Sequence, residues 1–318
     1  VQESGRAGRD GLPSASLVML SSGDGVAVEN RLRASVPDRS GVKGLLSSLA
    51  AKGEHIISLY EASAVHDLPD VVVDRILFDL KRRGLLTERG AGYKYYKVRP
   101  LFRMEEILCG RDEEESAFLQ WLDGHREGQV LDLAVECGIS WEEVAARLED
   151  LALSGEWKVE QRQTALLLYS GGFPVNEAVE ELMRYFTGAL HHGLERWELC
   201  VSALTAEACL NRRLDEYFGF EKAGPSCGHC PACCGTVPGK MEEEKEEPWS
   251  EELRGAVMEL AGQRKSALSR PSQMTRFLLG LASPAAMRSR LWSHPLYGAL
   301  AERKWKDVWI EARALMDS

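Results

Sequence analysis

Four cysteines constrain this chain more than any other feature. Cys227-Gly228-His229-Cys230 sets two thiols one chelating bite apart, and Cys233 follows after a second two-residue gap. Cys209 lies upstream, in a stretch that reads as a helix. Soft sulfur ligands at such spacing point to one tetrahedral Zn²⁺. Cys233 and its neighbour Cys234 cannot easily serve the same ion, so one of them is spare, and the two-residue gaps favour Cys233. The competing reading is a pair of buried thiols with a redox Cys-x-x-Cys.

Composition narrows the class. The 318 residues have room for about two or three domains. No apolar run approaches the ~20 residues that a membrane span needs, and no stretch reads as a signal peptide. Eight cysteines, four of them clustered, suit a reducing cytoplasm. A net charge of −10 argues against a uniformly basic nucleic-acid binder.

That charge is unevenly spread. A short helix is expected over 42–51. From Leu68 to Arg83, Val72, Ile76, Leu77 and Leu80 share one helical face, and Gly84 ends it. Leu85–Thr87, a tight turn at Gly90-Ala91-Gly92 and Tyr93–Val98 read as a hairpin. Helix then hairpin is a winged-helix unit. Across 71–103 there are nine basic residues against three acidic ones. Lys81, Arg82, Arg83, Arg89, Lys94 and Lys97, interleaved with Tyr93, Tyr95 and Tyr96, are the candidate DNA contacts; a solvated helix face with core tyrosines is the alternative. A second unit follows. Glu113–His125 is a helix, and Val130–Cys137 and Trp141–Leu153 form a helix-turn-helix with a Ser140/Glu143 capping box. Glu156–Val159 and Thr164–Tyr169 supply a second wing. Over 140–170 the balance is three basic to six acidic residues, which favours packing over phosphate binding. Helices over Asn176–Leu190 and Gly193–Leu210 then deliver Cys209. An acidic linker leads to a last helical module, where Arg264–Lys306 holds nine basic residues and one acid. Trp292, Tyr297 and Trp305 there are candidates for stacking on single-stranded bases.

The first residues carry chemistry of their own. Gln2-Glu-Ser-Gly-Arg6-Ala-Gly-Arg9-Asp-Gly11 places two guanidiniums in a glycine-rich loop, a geometry suited to phosphate oxygens. A solvated turn is the plain alternative. This stretch resembles the last helicase motif of superfamily 2 enzymes in its RecQ form. The Cys209…Tyr217-Phe218-Gly219…Cys227-Gly-His-Cys230-Pro-Ala-Cys233 pattern resembles the zinc subdomain of the same family. One departure is Pro231, where that family usually has an acid. Another is order, since both winged helices stand between Arg9 and Cys209.

The resemblance implies the C-terminal part of a RecQ-like, ATP-dependent 3′ to 5′ DNA helicase acting in repair and recombination. Arg9 matches the arginine finger and Arg6 its companion. Gln2, Arg6 and Arg9 would face ATP and Mg²⁺ held mainly by an upstream lobe, because no Walker A loop or Mg²⁺-holding Asp-Glu pair occurs in this sequence. The chain alone is then not expected to hydrolyse ATP. Cys209, Cys227, Cys230 and Cys233 would hold zinc, and DNA would be the partner. The implied fold is mainly α with small β wings. The end of a RecA-like α/β lobe spans 1–35, and winged helices span 36–103 and 104–172. A four-cysteine zinc-binding helical subdomain covers 173–236, an acidic linker 237–249 and a basic helical module 250–318. A non-enzymatic winged-helix DNA-binding or regulatory protein with a structural zinc is the alternative.

Overall fold

The computed structural model describes residues 17–220, 224–236, 248–263 and 266–317. It is mostly helical, with one four-stranded antiparallel sheet and a cluster of four cysteines. Two compact units emerge. One comprises 37–186 and 283–288, the other 17–36, 187–282 and 289–317.

The first unit is one motif made twice. Helix α2 (Arg39–Leu49), strand β1 (Gly53–Ile57), helices α3 (Leu59–His66) and α4 (Asp70–Arg82) and strand β2 (Leu86–Pro100) form the first copy. A short helix α5 (Met104–Ile107) connects to the second: α6 (Glu113–Gly124), β3 (Glu127–Gln129), α7 (Val130–Cys137), α8 (Trp141–Ser154) and β4 (Trp157–Ser170). The correspondence reaches single residues at one constant interval. Val73, Leu77 and Leu80 on α4 match Val144, Leu148 and Leu151 on α8, and all six are buried. Gly84 and Gly155 both close their helix at positive φ, 70° and 73°, where a side chain would strain the backbone.

The sheet departs from the sequence expectation. Neither module folds back on itself as a hairpin. Leu86–Pro100 is one strand of 15 residues and Trp157–Ser170 one of 14, paired with each other along most of their length. The strand order is β1-β4-β2-β3. Thus β1 of the first module pairs with β4 of the second, and β3 of the second with β2 of the first. The modules exchange their long strands, and Tyr96 and Val98 of β2 lie in the core of the second module beside Leu119, Leu133 and Leu148.

The expected turn at Gly90–Gly92 fails for a packing reason. The Trp141 indole lies over both glycines. A Cβ on Gly92 would stand 2.5 Å from its ring, and one on Gly90 3.1 Å from it. These glycines serve a close approach, and after a bulge at Arg89 the strand goes on with Gly90, Ala91 and Gly92 opposite Leu167, Leu166 and Ala165. In the second module the two stretches expected as separate strands likewise join into one, Trp157–Ser170.

The other unit is helical. Helix α1 (Ser22–Ala34) lies in the stretch expected as the end of an α/β lobe, and residues 17–20 have no regular structure. The helices expected over 176–190 and from 193 are one helix, α9 (Val175–Thr205), of 31 residues. Gly193 does not break it. It makes room for Leu32 of α1, whose Cδ2 would lie 2.8 Å from a Cβ at that position. Then follow α10 (Leu210–Tyr217), α11 (Pro231–Cys234), α12 (Glu251–Gln263), α13 (Pro271–Leu278), α14 (Pro284–Arg288, in the first unit) and α15 (Trp305–Asp317). The buried Asn30 of α1 donates to the Arg303 carbonyl at 2.8 Å and accepts from the Trp305 N–H at 2.7 Å, fixing the start of α15. The buried Arg276 donates to the carbonyls of Ala34 and Val36.

Candidate metal centre

Cys209 and Cys230 occupy equivalent places, each at the N-cap of a helix, α10 and α11. Pro231 at the first position of α11 suits that start, since its missing N–H would have no partner there. Gly228 at φ 75° allows the turn between Cys227 and Cys230. The result is a compact group. One sulfur from each of Cys209, Cys227, Cys230 and Cys233 lies within 4.8 Å of the others. The Cys227 and Cys233 sulfurs are 4.0 Å apart. Zinc–sulfur bonds of about 2.3 Å at tetrahedral angles require sulfurs about 3.8 Å apart. The four thiols therefore fit a metal ion such as zinc after a small contraction. Cys209 and Cys230 are buried, Cys227 and Cys233 half-buried.

The spare thiol is Cys234. Its exposed sulfur points to the Gly228 carbonyl at 3.8 Å and stands outside the group. His229 is exposed, with Nδ1 2.7 Å from the Cys227 carbonyl oxygen. His191 and His192 are exposed within α9, and His192 pairs with Glu195 at 3.5 Å.

Backbone dipoles prepare the sulfurs for a cation. The Arg212 and Cys227 N–H groups draw the Cys209 thiol down to about 6. The Leu210 and Cys233 N–H groups lower Cys230. At Cys233 the Gly228 N–H pulls downward, but the Cys230 thiol, burial and the other two thiols together push it up to about 12. A metal ion must displace that retained proton, so affinity falls as pH drops.

Gln2, Arg6 and Arg9 lie outside the described residues. The six candidate DNA contacts do not form one open track. Lys81 pairs with Glu88 at 2.6 Å and Arg82 with Asp79 at 2.9 Å. Arg83 reaches Asp79 and Glu181. Arg89 lies 4.7 Å above the Tyr169 ring. Lys94 is held by Glu61, and Lys97 pairs with Glu127 at 2.9 Å. Strand alternation puts Lys94 and Lys97 on opposite faces of β2. Glu61, Glu127 and Glu181 come from outside 71–103, so they were invisible in the local charge count. Of the three aromatic candidates in the C-terminal segment, Trp292 is exposed. The Tyr297 hydroxyl donates to the Gly280 carbonyl at 2.9 Å, and Trp305 lies under the Arg276 guanidinium.

Among the described residues, no helix is long and apolar enough to cross a membrane. No protein-family model matches the chain, and no curated protein matches it either.

Proposed function

We propose that this chain is the C-terminal part of a RecQ-like, ATP-dependent 3′ to 5′ DNA helicase of the cytoplasm, acting in repair and recombination. The observation that carries the reading is the four-thiol group. Its members are the four cysteines that the resemblance selects, with Cys234 excluded. In this reading zinc staples α10 to α11, and Arg6 and Arg9 complete a nucleotide site whose P-loop and Mg²⁺ ligands lie upstream. Arg9 stabilises charge on the γ-phosphoryl group in transfer, worth about 10³–10⁵ in rate. The two modules are winged helices whose wings are exchanged strands. On the first, Lys81, Arg82, Arg83, Arg89, Lys94 and Lys97 would meet phosphate by leaving their partners within the chain, Glu88, Asp79, Glu181, the Tyr169 ring, Glu61 and Glu127, and the basic C-terminal segment would supply more.

The test uses the natural full-length protein. Single-turnover ATP hydrolysis with Arg9→Ala should fall by about 10³ or more while nucleotide binding persists. Undiminished hydrolysis would end the helicase reading. Metal analysis should find one zinc per chain, lost in Cys230→Ser together with local order.

A second reading is favoured by the internal duplication, which fills a whole unit and needs no motor. It makes the chain a non-enzymatic winged-helix DNA-binding or regulatory protein with a structural zinc. Salt-dependent DNA binding without any ATPase in the full-length protein would select it.

A further inference from the structure

The two equivalent helices α4 and α8 keep the same buried positions but present different outward stripes. On α4 the stripe is Val71, Arg75, Phe78 and Arg82, spaced as one helical face. Val71 is 74% exposed and Phe78 51%. The Arg75 guanidinium lies 5.5 Å from the Phe78 ring centroid and 4.7 Å from that of Tyr185 on α9, which orders it while it stays exposed and charged.

The matching stripe on α8 is Glu142, Ala146, Glu149 and Leu153, all exposed, with Leu153 at 79%. Glu142 and Glu149 stand apart from the ion pairs that hold Glu143 and Glu114 to Arg147. Laid antiparallel, the two stripes match at every level. Val71 meets Leu153 and Phe78 meets Ala146, a large side chain over a small one. Arg75 meets Glu149, and Arg82, which pairs with Asp79 within its own chain, meets Glu142. The spacing is identical on both helices, so one register satisfies all four pairs. A duplex-reading helix would instead carry polar side chains for base edges, which Val71 and Phe78 are not. Of the candidate phosphate contacts only Arg82 belongs to this stripe.

We propose that α4 of one copy of this chain docks antiparallel on α8 of a second copy, through paired apolar contacts flanked by two arginine–glutamate bridges. The proposal does not depend on the helicase reading. A twofold operator would form the contact twice and close a dimer.

Sedimentation of the full chain tests it. As the concentration is raised, the mass should rise above that of the 35.3 kDa single chain. It should fall back in about 1 M salt, where the screening length is about 3 Å. Arg75→Glu/Arg82→Glu should sediment as a single chain, and so should Glu142→Arg/Glu149→Arg. Mixing the two variants should restore association, because each reversed stripe then meets its opposite in trans. All eight positions are on the surface, so thermal midpoints should hold. A chain that stays monomeric throughout, or a mixture that stays inert, would overturn the proposal. So would a double reversal on α4 that weakens binding to a labelled duplex and leaves sedimentation unchanged, since that outcome assigns the stripe to DNA.

Discussion

The two modules of the first unit share a core and differ in nearly everything that faces water. Val73, Leu77 and Leu80 are answered by Val144, Leu148 and Leu151. The surface after them differs in kind, for Lys81-Arg82-Arg83 at the end of α4 is answered by Ala152-Leu153-Ser154 at the end of α8. Burial fixes the apolar positions because each lost methylene is felt in a close-packed core. Solvated positions are free to take up separate tasks. The modules are one architectural solution with two surfaces, and the strand exchange ties them into a single sheet.

The largest effect should come where the symmetry fails. Trp141 plugs the space over Gly90 and Gly92, while its counterpart in the first module is Asp70, exposed at the start of α4. Trp141→Ala should cost about 3–5 kcal/mol, as for other buried aromatics. Asp70→Ala should stay within about 0.5 kcal/mol, as surface changes do. Urea unfolding midpoints measure both. Similar small losses would mean that the indole is not what keeps Gly90–Gly92 paired in the sheet.

Next in size is a matched pair. Leu77→Ala and Leu148→Ala should each cost about 2–5 kcal/mol. Because β1 needs β4 and β3 needs β2, either change should destabilise both modules in one transition of this unit. Two resolved transitions, one per module, would show the exchanged strands to be a weak tie. Gly92→Ala should cost about 1–3 kcal/mol by overpacking against the indole. A neutral result would show that Trp141 has somewhere else to go.

These expectations also mark what was legible without coordinates. The helices over 68–83 and 141–153 declared themselves because a one-sided apolar period of 3.6 is a local property. Ser140 accepts from the Glu143 N–H at 3.1 Å, one half of the expected capping box, while the Glu143 side chain goes to Arg147 instead. The four thiols were legible because chelation needs short loops and rare residues. The choice of Cys233 over Cys234 was only favoured until the sulfur positions separated them. What failed was non-local. Gly90 and Gly92 read as a turn in any window that omits Trp141, and Gly193 reads as the boundary between two helices in any window that omits Leu32. A glycine that yields space to a distant side chain looks the same in sequence as one that bends the chain. The basic count over 71–103 failed to find an open track for the same reason, since Glu61, Glu127 and Glu181 arrive from elsewhere in the fold.

The finest contrast is a pair of titratable groups at equivalent positions, His66 at the end of α3 and Cys137 at the end of α7. Burial acts on both and moves them in opposite senses, because it disfavours whichever form is charged. It lowers His66, whose ring packs so closely that a Cβ on Gly44 would lie 2.8 Å from Nδ1. It raises Cys137. For His66 the unfolded chain, with a pKa of about 6.5, takes up the proton first as pH falls. Stability from that site is full above that value and is lost as pH drops through it toward the lower folded one. For Cys137 the unfolded thiol, with a pKa of about 8.5, loses its proton first as pH rises, so its contribution is full below that value and is lost above it. Urea midpoints followed from pH 5 to 10 should therefore decline at both ends. His66→Gln should flatten only the acid arm, and Cys137→Ala only the alkaline one. If His66→Gln left the acid arm unchanged, the slope would belong to other groups, and the imidazole in the first module would be as free to charge as one in water.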